Sequence, residues 1–191
     1  MSGRRHWLAL IFLGLSGTGI AFAQPPAAPV MKAGMLSPVM PAPAIALEGT
    51  DGKPLTLERF RGKVILLAFG FSSCAEVCPI TLATLAGARR KLGPGAADVQ
   101  VVYVTVDPER DDAARMRKYL GTFDETFIGG VGTPAQIQAA QKSFGVSSKK
   151  ILYPDGGYNV GHSSSIYLID RAGRLRPRVP NGRKGHDFMH V

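Results

Sequence analysis

Val64-Ile65-Leu66-Leu67-Ala68-Phe69-Gly70-Phe71 runs straight into Ser72-Ser73-Cys74-Ala75-Glu76-Val77-Cys78-Pro79, and Ile80 to Leu92 follows with Leu82, Leu85 and Leu92 on or near one face. A continuous apolar run of this kind marks a strand buried on both faces of a sheet. The spaced leucines, with Arg89, Arg90 and Lys91 where cations suit the dipole, predict a helix over Ile80 to Leu92. Strand, thiol loop and helix in that order bring Cys74 and Cys78 to a place where unpaired backbone N–H groups and the positive end of a helix dipole gather. Such a place favours the thiolate, the form that attacks disulfides and binds soft metals. On these residues alone the pair is a redox couple, a metal clamp, or both.

Outward from this stretch the pattern alternates. Val99 to Val106 reads as a second buried strand, and Asp107-Pro108-Glu109-Arg110-Asp111 then opens a helix over Asp112 to Leu120. An acidic residue before Pro suits a helix entry, so capping is the first explanation of that charged cluster. Pro134 to Phe144 predicts a third helix. Tyr158 to Val160, Ser164 to Ile169 and Leu175 to Val179 predict strands, the last two joined through Asp170-Arg171-Ala172-Gly173. Upstream, Ile45 to Leu47 and Pro54 to Leu57 flank an Asp51-Gly52 hairpin signal. Together these elements predict an α/β domain over residues 44–180: a central mixed sheet, flanking helices, and an N-terminal hairpin. A short tail, 181–191, follows.

Residues 1–23 carry the marks of a secretory signal: Arg4 and Arg5, an apolar Trp7 to Ile20, then Ala21-Phe22-Ala23 before Gln24. The alternative, an uncleaved anchor, meets a short apolar stretch broken by Gly14, Gly17 and Gly19. Residues 24–43 are rich in Pro and Ala and lack periodicity, as in a flexible tether. The expectation is an exported protein, periplasmic or periplasm-facing and tethered to the membrane. The formal charge is +9, and removing Arg4 and Arg5 with the leader leaves 21 basic against 14 acidic residues, or +7. A solvated basic face is the first reading of that excess, ahead of acidic partner proteins or weak association with an anionic membrane surface, and an exported chain meets no nucleic acid.

Cys74 and Cys78 are the only cysteines in the 191 residues. Two cysteines in an exported chain default to a structural disulfide. A bridge across so few residues constrains the unfolded chain little, so the local pair reads as functional. Two sulfurs hold Cu(I) or Zn poorly without a third ligand. Outside the leader the candidates are His162, His186 and His190, and His162 stands in a loop expected just before the strand at Ser164. Thioredoxin-like oxidoreductases usually place a cis-proline there. The chain has no proline between Gly156 and Arg176, which favours ligation over disulfide exchange. A peroxiredoxin pattern fails, because Phe71 and Ala75 stand where Thr or Ser would precede the peroxidatic cysteine.

Three motifs in register carry a resemblance: Phe69-Gly70-Phe71-Ser72-Ser73-Cys74-Ala75-Glu76-Val77-Cys78-Pro79, Val104-Thr105-Val106-Asp107-Pro108-Glu109-Arg110-Asp111, and Val160-Gly161-His162-Ser163. From about Ala44 to Leu175 the chain resembles the Sco/SenC family. The resemblance implies a thioredoxin-like fold and delivery of copper to the dinuclear copper site of cytochrome c oxidase, with the oxidase copper-site subunit as partner. It implies that Cys74, Cys78 and His162 match three copper ligands, and that the cysteines also cycle through a disulfide, served by a thioredoxin-like reductant. Two departures stand out. Ala75-Glu76 replaces the family's usual Pro-Asp, which keeps a carboxylate but loosens the loop, and the family's final helix has no counterpart in 181–191. The alternative function is a thiol–disulfide oxidoreductase acting on cysteines of a partner protein.

Overall fold

Strand β4 (Val64–Gly70) is buried along nearly its whole length and pairs in parallel with β5 (Val99–Thr105), from Val64 opposite Val99 to Gly70 opposite Thr105. Val101, Val102, Val104 and Leu67 are fully enclosed, each side chain contributing about 2 kcal/mol of transfer free energy. These coordinates come from a computed structural model and describe residues 40–176 and 179–180. The expected leader, most of the tether, the 181–191 tail, His186 and His190 lie outside the described residues.

Helix α1 (Val77–Lys91) links β4 to β5, and α2 (Ala113–Gly121) leads from β5 to β6 (Ile128–Val131), which pairs in parallel with β5. Helix α3 (Pro134–Ser143) starts from a capping box between Thr133 and Gln136, with Pro134 in its first turn. The hairpin of β2 (Leu47–Gly49) and β3 (Pro54–Leu55) pairs antiparallel with β6 on one side. On the other side β9 (Ser165–Ile169) runs antiparallel to β4 and receives β10 (Arg174–Leu175) and β11 (Val179–Pro180). Strand β1 (Met40–Pro41) completes that edge against β10. Strands β7 (Ser148–Leu152) and β8 (Tyr158–His162) form a separate two-stranded sheet. The fold is therefore the expected mixed α/β arrangement. Among the described residues no helix is long and apolar enough to cross a membrane.

The structure corrects several boundaries. Helix α1 begins at Val77 and not at Ile80, so Cys78 lies in its first turn. Pro79 does not delay the start, because a first-turn residue needs no N–H partner inside the helix. The cap of α2 is Asp112, whose side chain accepts from the N–H of Arg115 at 2.7 Å. Met40 and Pro41, placed within the tether by composition, are held in the sheet. The single strand expected over Leu175 to Val179 is divided into β10 and β11, both on β9. Strands β6 and β7 carry no periodic signal: β6 contains Gly129-Gly130, and β7 is exposed throughout. A Cβ on Gly130 would come within 2.7 Å of Leu55, so close packing and not strand propensity selects glycine there.

Candidate metal centre

Strand β4 ends at Gly70, and Phe71 to Cys74 form a turn closed by the Cys74 N–H on the Phe71 carbonyl at 3.3 Å. The chain then enters α1, which carries Cys78 inward until it is 2 % exposed, while Cys74 stays half-buried at the loop. Both cysteines are free thiols. Burial works against charge on Cys74. The Cys78 side chain and the backbone N–H groups of Cys78, Glu76 and Val77 outweigh it, and the thiol ends below its ordinary range. For Cys78 burial dominates and pushes the thiol up to about 12, against a lowering contribution from the Tyr103 hydroxyl.

His162 closes the site from the other side. It is the last residue of β8, opposite Ser148, and not in a free loop as expected. Its Nε2 stands 3.8 Å from Cys78 Sγ, and its Nδ1 is 3.0 Å from the Ser163 carbonyl. A carbonyl only accepts, so that contact places the proton on Nδ1 and leaves the Nε2 lone pair facing the sulfur. The Phe71 ring meets the imidazole edge-on at a centroid distance of 6.0 Å and fixes its plane. Among the described residues no three His, Cys, Asp or Glu side chains are already drawn tightly around one point. Cys78 and His162 approach to 3.8 Å, and Cys74 packs against the core cluster that includes Cys78.

The Asp-Pro-Glu-Arg-Asp segment does more than cap a helix. The Asp111 carboxylate is buried and accepts from the Ser72 N–H at 3.1 Å, the Ser72 hydroxyl, and the Thr105 hydroxyl at 2.7 Å. Arg115 donates to the Ser72 and Ser73 hydroxyls at 2.7 and 3.0 Å. These bonds clamp the loop that bears Cys74. Arg110 serves the opposite arm: it pairs with Asp107, donates to the Tyr158 carbonyl at 3.1 Å, and lies 3.9 Å over the Tyr158 ring. Tyr158 in turn donates to Asp107 at 2.9 Å. The segment therefore braces both the thiol loop and the hairpin carrying His162. Capping logic did not reveal this, although the motif itself was visible in the sequence.

Comparison with known proteins identifies the family of the chain. The family model described as SCO1/SenC matches residues 43–190. A putative copper-binding protein of Stutzerimonas stutzeri is 31% identical over 141 residues, covering 72% of this chain and 68% of that protein. The solved structure of Bradyrhizobium japonicum ScoI with copper bound is 35% identical, with a TM-score of 0.71, and covers 76% of this chain and 93% of that one. The structure of BsSco, in which a disulfide switch is identified and which is described as a member of the Sco family of cytochrome c oxidase assembly proteins, is 26% identical with a TM-score of 0.61; it covers 80% of this chain and 90% of that one. Mitochondrial relatives are longer, and the chain spans 36% and 55% of two of them.

Proposed function

The chain belongs to the SCO1/SenC family, and from that premise we propose that it is a copper-binding chaperone that helps assemble the dinuclear copper site of cytochrome c oxidase. Its cargo is held by Cys74, Cys78 and His162. The observation that carries this reading is the 3.8 Å approach of His162 Nε2 to Cys78 Sγ, two residues 84 positions apart. Two sulfurs suit soft Cu(I), and an added imidazole gives a set that also tolerates Cu(II). The half-buried Cys74 meets incoming copper first, Cys78 and His162 complete the set, and the ligands are exchanged one by one onto the oxidase copper-site subunit. Oxidation of the cysteines to a disulfide removes both thiolates and stops binding. In this reading residues 1–23 direct export, the residues from 24 up to β1 tether the domain on the periplasmic side, and the basic surface gives weak membrane association.

Copper titration of the reduced protein tests the proposal. One ion per chain is expected, with a sulfur-to-copper absorption band, and His162→Ala should weaken binding. An unchanged affinity in that variant would remove the third ligand.

The unequal thiols also favour a second reading, a thiol–disulfide oxidoreductase. The accessible, more acidic Cys74 attacks a partner disulfide and Cys78 resolves the mixed disulfide. The partner gains two thiols while this chain becomes the disulfide, and a thioredoxin-like reductant restores it. Full copper binding with no reduction of a disulfide substrate would reject this version.

A further inference from the structure

Tyr103 lies in β5, 1 % exposed, and among the described residues its hydroxyl makes no hydrogen bond of ordinary geometry, although the Cys78 sulfur is near enough to feel it. A buried hydroxyl left this way has given up its water partners without replacing them, which is costly and calls for an explanation. Its surroundings supply one. A Cβ on Gly70 would lie 1.8 Å from the Tyr103 hydroxyl and 2.8 Å from Cys78 Sγ, so phenol and sulfur converge on the space that glycine leaves open. Gly70 is the last residue of β4, directly beside the thiol turn, and its missing side chain is the reason the phenol can reach this far.

A neutral thiol is a weak acceptor, whereas sulfur bearing negative charge is a strong one. The hydroxyl therefore has little to bind while Cys78 is protonated and a good acceptor when the sulfur is charged. Charge on a sulfur this deeply buried is costly unless a donor offsets it. We propose that Tyr103 is a positioning residue whose phenolic O–H donates to Cys78 Sγ once that sulfur serves as a copper ligand. The bond holds the sulfur in place and tempers how much electron density it gives to the metal. This rests on Cys78 being a ligand, as proposed above. It assigns a residue outside the three ligands, on another strand, to the tuning of their chemistry.

Tyr103→Phe removes the hydroxyl and keeps the ring. Because the hydroxyl makes no ordinary bond, the variant should unfold at no lower denaturant concentration than wild type. Reduced wild type, Tyr103→Phe and Tyr167→Phe are each titrated with copper. Tyr167 is the control, since it is equally buried but its hydroxyl donates to the Phe144 carbonyl at 2.8 Å. In Tyr103→Phe copper affinity should fall about 10- to 100-fold. The sulfur-to-copper band of the Cu(II) form should also move to longer wavelength, because a sulfur without its donor holds its lone pair less tightly. Tyr167→Phe should move neither. Identical band and affinity in Tyr103→Phe and wild type would overturn the inference while leaving the copper site intact. Loss of the native fold in Tyr103→Phe would also overturn it, by showing that the hydroxyl serves the core. A wild type with no sulfur-to-copper band would sink the ligand assignment and this inference together.

Discussion

The Ser72 N–H donates to the buried carboxylate of Asp111 across 3.1 Å, tying the turn that presents Cys74 to the segment that precedes α2. The same carboxylate takes the Thr105 hydroxyl from the end of β5, so one side chain joins strand, loop and helix entry. This bond, more than the loop sequence itself, sets where the first sulfur stands.

Asp111→Ala leaves the Ser72 and Thr105 donors and the Arg115 charge without their partner. A loss of about 3 kcal/mol is expected in urea unfolding. Amide exchange at Ser72 should rise well before global unfolding. Unchanged exchange there would mean that the loop holds its shape without Asp111.

The two thiols should separate cleanly under alkylation. Cys74, held below its ordinary range, should react with iodoacetamide in the native protein at a pH where a free cysteine is mostly protonated. Cys78, buried and pushed up to about 12, should stay unlabelled until the fold opens. Site-resolved mass spectrometry across pH 6 to 10 reads both, and equal labelling rates would contradict the asymmetry.

Gly70→Ala forces a methyl into the Tyr103 hydroxyl and the Cys78 sulfur. Overpacking of this kind costs about 1–3 kcal/mol. The variant should melt lower and bind copper more weakly than wild type. A stability equal to wild type would show that the phenol has room to retreat.

Asp170 supplies an acid-sensitive contribution. Burial raises its pKa, but the Arg174 N–H and side chain and the Arg176 side chain outweigh this and hold the carboxyl below its usual value. The folded pKa lies beneath the unfolded one. The contribution is therefore complete above the unfolded value of about 3.9 and is lost as pH falls through the lower folded value. Asp170→Asn should cost about 1 kcal/mol at neutral pH, and its stability should decline less than wild type's from pH 4 to pH 2. Parallel urea midpoints across that range would contradict the assignment.

Much of this architecture could be read from the chain because burial wrote it in a regular script. Val64 to Gly70 and Val99 to Thr105 are apolar on both faces, and the leucines of α1 recur at helical spacing. Strand β6 escaped notice because Gly129 and Gly130 serve the packing of Met116 and Leu55, not strand propensity. Strand β7 escaped because its side chains face solvent and so follow no pattern. At the site, the spacing of Cys74 and Cys78 and the motif around His162 marked the three candidate residues. Their supporting cast could not be read the same way. Tyr103 looks like any core aromatic until the absent Cβ of Gly70 is placed beside it, and Asp107 and Asp111 look like caps until their carboxylates are seen to face other elements.

His162 rides on a ribbon that shares no strand pairing with the nine-stranded sheet, whereas Cys78 is rooted in a helix packed into the core. The grip is thus built from one anchored jaw and one suspended jaw. Swinging the imbalanced half outward would strain the Arg110 and Tyr158 struts but would unzip none of the main ladder. In the proposed role, a shift of this ribbon would loosen the imidazole's hold at the expense of the Arg110 and Tyr158 contacts with buried Asp107 and of the packing of Val160, with the main sheet undisturbed.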